Sequence, residues 1–217
     1  MRTSAPDPAV APFRWWRLVW GLAVPPLRLL ARLGWRLRVI QEAPTPSGPI
    51  IVAANHLSHL DPLLVGAAVD RPMRFLAVDG LWGVHRWLNV VLRWSGSIPV
   101  SRDRAPLGAI RVSLNHLEAG GSIGIFPEGG VTAGWGSVKP LPSAAWISLR
   151  SGVPIVPVAV VGSDAAYGKD AARLRRSHVT VTIGPQLDPG SFREEANPVT
   201  AMLEAWGGWV GEQIGRN

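Results

Sequence analysis

The sequence predicts one α/β domain with a mostly parallel central sheet flanked by helices, preceded by a basic amphipathic helix suited to a membrane interface. Three observations carry this expectation. From residue 50 onward, short apolar runs alternate with helix-length segments, the pattern of a parallel sheet wrapped by helices. The 217 residues, 47% apolar and 17% charged, suit a single domain with a sizeable core. The charge is uneven: residues 1–41 hold seven arginines against Asp7, a net +6, whereas the remainder nets +1. This divides the chain into a basic, tryptophan-rich membrane-associating segment, 1–41, and an α/β domain, 42–217.

Within the first segment, the longest uncharged run, Leu18 to Leu27, is half of the roughly 20 residues needed to span a bilayer, and Pro25 and Pro26 interrupt it. From Leu27 the pattern becomes amphipathic. Arg28, Arg32 and Arg36 recur every fourth residue, with Leu29, Leu30, Leu33 and Leu37 on the adjoining face. Trp15, Trp16, Trp20 and Trp35 add rings that favour a headgroup region. Arginine, tryptophan and leucine in this arrangement describe a helix lying on an anionic membrane surface. The plainer alternative is a surface helix whose leucines pack on the domain. A net positive charge concentrated in one segment, rather than spread over the fold, argues against a nucleic-acid partner.

The connector "EAPTPSGP", Glu42 to Pro49, is turn-rich. Beyond it, strands are expected at Ile50–Ala54, Arg74–Val78, Ser97–Val100, Ser122–Phe126, Ile155–Val161 and Val179–Ile183. Helices are expected at Pro62–Val69, Leu81–Trp94, Pro106–Glu118, Ser143–Arg150 and Val199–Ile214. Trp82, Trp87 and Trp94, with few charges around them, make the second of these helices a core element or, as the alternative, the lining of a groove for an apolar chain. There is no cysteine, which removes disulfides, thiolate metal sites and cysteine nucleophiles together.

The chemistry concentrates in "AANHLSHLDPLL", Ala53 to Leu64, at the end of the first of these strands. In parallel sheets, sites form at the carboxyl ends of strands. A histidine followed five residues later by an aspartate, His56 and Asp61, closes a hydrogen bond across a helix start. The carboxylate fixes the imidazole tautomer and supports the imidazolium that forms on proton uptake. That is a general base for a hydroxyl. A second reading makes His56, His59 and Asp61 the ligands of a metal-dependent hydrolase. A third is a non-catalytic membrane-binding module. Ser58 reads as a cap or turn residue, and "NHLEAG" at Asn115 repeats Asn-His without a carboxylate, so His116 reads as structural.

Three further segments follow in order: "GSIPVSR" ending at Arg102, "FPEGG" from Phe126 to Gly130, and "VPIVPV" from Val153 to Val158. Together with "NHLSHLD", these four blocks resemble the glycerolipid acyltransferase family typified by 1-acyl-glycerol-3-phosphate acyltransferase. The resemblance runs from about Ile50 to Val161. It implies a fatty acyl donor, acyl-CoA or acyl-carrier protein, and a lysophospholipid hydroxyl as acceptor. It also implies a monotopic or peripheral protein on the cytoplasmic face of the cell membrane. His56 and Asp61 are then catalytic, and Asn55, Arg102, Glu128, Gly129 and Lys139 hold substrate. No metal and no cofactor are expected. One departure stands out. The family's third block continues with threonine and arginine, where this chain has Gly130 and Val131. Such an arginine would suit an acceptor phosphate through a charge-assisted contact, so the acceptor is expected to differ from, or extend beyond, 1-acyl-glycerol-3-phosphate.

Overall fold

Strand β2, Ile51–Ala54, is buried along its whole length, as a central strand covered on both faces must be. Around it lie β1 (Arg38–Gln41), β3 (Met73–Val78), β4 (Ile98–Val100), β5 (Ser122–Ile125), β6 (Ile155–Val161) and β7 (Thr180–Ile183). The sheet has seven strands in the order β1-β7-β6-β2-β5-β3-β4. Every neighbouring pair is parallel except β6 and β7. The computed structural model describes residues 13–69, 71–82, 86, 89, 92, 93, 95–101 and 107–216. Arg102, Pro106 and most of the helix expected at Leu81–Trp94 lie outside these residues; Arg86, Asn89, Leu92 and Arg93, which are described, are helical.

The helices are α1 (Phe13–Trp35), α2 (Asp61–Ala68), α3 (Leu107–Glu118), α4 (Ser143–Ser151), α5 (Ser163–Tyr167) and α6 (Pro198–Gly215). The sheet separates two apolar layers. On one face, α1 and α2 cover Val52, Val156, Val158 and Val181. On the other, α3, α4 and α6 cover Ile51, Ile123, Ile155 and Ala159. Pro157 is accommodated in β6 because its carbonyl accepts from Gly184 N–H, so its missing donor faces the β7 side. The bond its missing N–H would give to Gly184 lies just beyond the Val158–Ile183 end of the β6–β7 ladder, so its loss interrupts no inner pair. His116 is buried in α3, where burial and the neighbouring Arg74 charge push its pKa down to about 4. Its imidazole fills the space over Gly121, so the second Asn-His pair is indeed structural.

The N-terminal region departs from expectation in three ways. Residues 38–41, read from sequence as the end of the membrane-associating segment, form β1 and pair with β7; Leu37 is core. The helix runs through Pro25 and Pro26 back to Phe13 instead of beginning near Leu27. Both prolines are exposed, so the carbonyls they leave without intrahelical donors are on the accessible side. The buried face of α1 carries Trp20, Val24, Leu27, Ala31 and Trp35, and Leu29, Leu30 and Leu33 are exposed. Trp20 covers Gly66, and Trp35 donates its indole N–H to Arg175 O at 3.0 Å. These two rings therefore face the domain; the side chains of Trp15 and Trp16 lie outside the described ones. At about 100° per residue, Leu18, Leu22, Leu29 and Leu33 fall within about 60° of one another on the side opposite the packed face. They are 57–79% exposed. The helix thus has two apolar sides and only one of them is covered.

Candidate active site

β2 delivers the chain to the sheet's carboxyl edge at Asn55, and residues 55–60 turn into α2, whose first residue is Asp61. A carboxylate in the first turn is favoured by the helix dipole. Here it also folds back over the preceding loop. Its Oδ2 accepts from Leu57 N–H at 2.8 Å and Ser58 N–H at 2.7 Å, and lies 3.0 Å from His56 Nδ1. Asp61 is fully buried and the His56 side chain is 13% exposed. With Asp61 as carboxylate, Nδ1 carries the imidazole hydrogen and Nε2 keeps its lone pair. No described residue bonds to Nε2. The pair thus has the geometry a base needs, a held tautomer and ring plane with Nε2 left open among the described residues.

The backbone of His56 is gripped from the "FPEGG" loop. Glu128 Oε2 accepts His56 N–H at 2.6 Å. The His56 carbonyl accepts from Thr132 N–H at 2.9 Å and from its hydroxyl at 3.3 Å. The imidazole stacks on Phe126, centroids 4.1 Å apart, and Phe126 stacks on Phe75. Gly124 lets Phe75 lie there, since a Cβ at 124 would stand 2.4 Å from that ring. Gly129, at φ +75°, makes the left-handed turn that brings Thr132 back to His56. From the opposite side of the sheet, Trp206 Nε1 donates to Ala53 O at 2.9 Å. Phe126 as a ring support, Thr132 and Trp206 were not legible as site residues: their contacts to His56 and Ala53 are stacking or go to backbone groups distant in sequence.

Burial pushes the Glu128 carboxyl up to about 7, the Asp61 charge adding to the rise and the His56 N–H opposing it. Its Oε1 is buried without a partner among the described residues. Because the folded-state pKa lies above the ordinary 4.5, the folded chain binds the proton more tightly than the unfolded one. Stability from this source is full below about pH 4.5 and is lost as pH rises to about 7. Glu128→Gln keeps the acceptor oxygen and cannot ionise. Thermal unfolding across that pH range is expected to fall less steeply for Glu128→Gln than for the natural chain.

The other expected site residues divide. Asn55 is fully buried, and its amide both donates to Val160 O at 2.8 Å and accepts from Val160 N–H at 2.7 Å. It clamps the end of β2 to β6 and presents no exposed group to a substrate, a correction to its expected role. Ser58 is a turn residue as expected: its hydroxyl donates to Tyr167 O at 2.7 Å and accepts from Leu60 N–H. His59 is exposed, packs beside Tyr167, and turns its Nε2 to Lys169 O at 3.4 Å. It does not join His56 and Asp61. Among the described residues, no three histidine or carboxylate side chains meet as a metal site. Lys139 is exposed on the loop before α4, two residues from Leu141, whose N–H returns to Pro127 O. Arg102 lies outside the described residues.

The chain belongs to the acyltransferase family: the acyltransferase family model matches residues 36–161, a stretch that contains the His56–Asp61 pair. Among curated relatives, the lyso-ornithine lipid O-acyltransferase of Pseudomonas aeruginosa is 32% identical over 164 residues, covering 74% of this chain and 59% of the relative. The 1-acyl-sn-glycerol-3-phosphate acyltransferase of Borreliella burgdorferi is 27% identical over 157 residues, covering 71% of this chain and 62% of that protein. The crystal structure of the 1-acyl-sn-glycerophosphate (LPA) acyltransferase PlsC from Thermotoga maritima superposes with a TM-score of 0.70 at 21% identity, covering 95% of this chain and 85% of that chain. This last likeness is one of fold. The chain spans about half to two thirds of the length of the curated relatives it matches.

Proposed function

We propose that this protein is a membrane-associated O-acyltransferase that moves a fatty acyl group from acyl-CoA or acyl-carrier protein to the hydroxyl of a lysolipid. The observation that carries the reading is the 3.0 Å His56–Asp61 pair with an open Nε2, within the region that matches the family. Nε2 takes the acceptor hydroxyl's proton while the oxygen attacks the donor thioester carbonyl. Asp61 supports the imidazolium. The tetrahedral intermediate collapses, the thiolate leaves, and the proton on His56 passes to that sulfur. No covalent acyl-enzyme is needed. Product analysis by mass spectrometry, with acyl-CoA or acyl-carrier protein and a panel of lysolipids, tests this directly. Acylated product with the natural chain and none with His56→Ala is expected; no product from any donor and acceptor would overturn it.

The membrane reading is supported by the uncovered leucine side of α1 and the arginines beside it. Among the described residues, no helix is long and apolar enough to cross a membrane. A peripheral placement on the cytoplasmic face fits donors made in the cytoplasm.

The acceptor reading is broader than 1-acyl-glycerol-3-phosphate. Gly130 and Val131 replace the threonine and arginine expected from the family pattern, and one relative is named for an ornithine lipid instead of a glycerol phosphate. A hydrogen bond to a charged group is worth about 1.5–3 kcal/mol. Val131→Arg is therefore expected to raise the kcat/KM ratio for lysophosphatidic acid over a lysolipid without a phosphomonoester by about tenfold or more. A strong natural preference for lysophosphatidic acid, untouched by Val131→Arg, would mean that the departure is neutral.

A further inference from the structure

The segment between α5 and β7 carries Lys169, Arg173, Arg175 and Arg176, all exposed, against Asp170, with Asp164 exposed on α5 beside it. Leu174 stands among these arginines and is 53% exposed. The segment is held in place. Arg175 N–H donates to Ala166 O at 2.9 Å, and its carbonyl accepts the Trp35 indole. The Ser177 hydroxyl donates to Gly162 O at 3.0 Å, and Arg36 Nη1 lies 3.1 Å from His178 Nε2. At its other end, Gly168 pairs with Ser58, and Lys169 O meets His59.

The topology places this segment on the same sheet edge as His56. Thr180 pairs with both Arg38 and Val161, while Val160 is clamped to Asn55. Because β1 and β7 run against the other strands, the end of α1, the start of β7 and the end of β2 share one edge. Around α1, Arg28, Arg32 and Trp35 fall within about 60° of one another. The side of the helix that bears two arginines is thus the side to which the segment is bonded. Exposed cations that are distant in sequence, Arg32 and Arg36 at the end of α1 and Arg173, Arg175 and Arg176 in the segment, thus lie toward the sheet edge that holds the His56 loop.

We propose that residues 168–179 are a second membrane contact, in which Arg173, Arg175 and Arg176 meet anionic phospholipid headgroups and Leu174 enters the interface, setting the His56 edge down on the leaflet that supplies the acceptor. The proposal rests on the membrane reading of α1. Cations alone would equally suit the phosphates of a CoA donor or an acidic carrier protein. An exposed leucine inside the cationic cluster favours a lipid surface, which takes up apolar and cationic groups together.

The absence of cysteine allows single labels to be placed. Leu174→Cys, Leu33→Cys and, at the opposite sheet edge, Arg150→Cys would each carry an environment-sensitive fluorophore. The full chain would be titrated with phosphatidylcholine vesicles with or without phosphatidylglycerol. Blue shifts at positions 174 and 33, dependent on phosphatidylglycerol and absent at 150, are expected. The combined variant Arg173→Gln, Arg175→Gln, Arg176→Gln should lower partitioning by about 100-fold, from three residues each worth about 1 kcal/mol near an anionic leaflet. A shift at 33 without one at 174 would overturn the second contact and leave α1 as the anchor. Silence at both would overturn both readings. Unchanged partitioning by the triple variant, with a raised KM for acyl-CoA or lost binding to acyl-carrier protein, would reassign these cations to the donor.

Discussion

His56→Ala is expected to lower kcat by on the order of 10²–10⁴-fold, the usual cost of removing a general base, with little change in unfolding temperature. The ring is replaceable structurally because it lies at the edge of the core, stacked on one face by Phe126, while its backbone bonds to Glu128 and Thr132 do not involve the imidazole. His59→Ala is the matched control: it removes an exposed imidazole that points to Lys169 and should leave transfer near the natural rate. Steady-state rates and thermal melts on both variants decide the matter. Equal losses, or a larger loss at His59, would refute the assignment of the base.

Asp61 is expected to separate charge from architecture. Asp61→Asn retains an oxygen that Leu57 and Ser58 N–H groups can reach, but loses the charge that supports the imidazolium, so its kcat should fall nearly as far as that of His56→Ala. Asp61→Ala should lose activity and stability together. It leaves buried N–H groups without an acceptor, at about 1–3 kcal/mol for each group. Denaturant unfolding of the two variants, set beside their rates, tests this. If Asp61→Asn kept transfer within about tenfold of the natural rate, below the usual range for loss of acid–base chemistry, Asp61 would be a loop support and not the partner of the base.

What the sequence made legible follows from distance along the chain. The dyad was readable because five residues separate its members and one helix start closes the pair. The central strands were readable because burial on both faces leaves unbroken apolar runs such as "IVAA" and "IVPVAVV". β1 was not: "RVIQ" is four residues long and mostly exposed, directly follows a helix, and pairs with Thr180–Ile183 far along the chain. The grip on His56 was hidden for a related reason. Its contacts to Glu128 and Thr132 span 72 and 76 residues and end on the His56 peptide, which any residue type would offer. Arg28 and Arg32 were visible on α1, whereas Arg36 falls past its end at φ 44°, and the placing of Arg173–Arg176 at the same sheet edge depends on the reversal at β7. In the sequence these cations are cancelled by acids elsewhere in a nearly neutral domain.

The two strands that end the sheet bear on self-association. A protein concentrated on a leaflet meets copies of itself far more often than one in free solution, and open strand edges are where such encounters turn into irreversible pairing. Here one end is β4, three residues with Pro99 at the centre, where the missing N–H weakens any ladder a newcomer could build. The other is β1, four residues opening on exposed Arg38, where a second copy would bring a like charge. Neither edge is long enough to template a partner. On the membrane reading proposed above, the surface chemistry that would collect these molecules on lipid is paired with sheet margins that give a colliding neighbour little to extend.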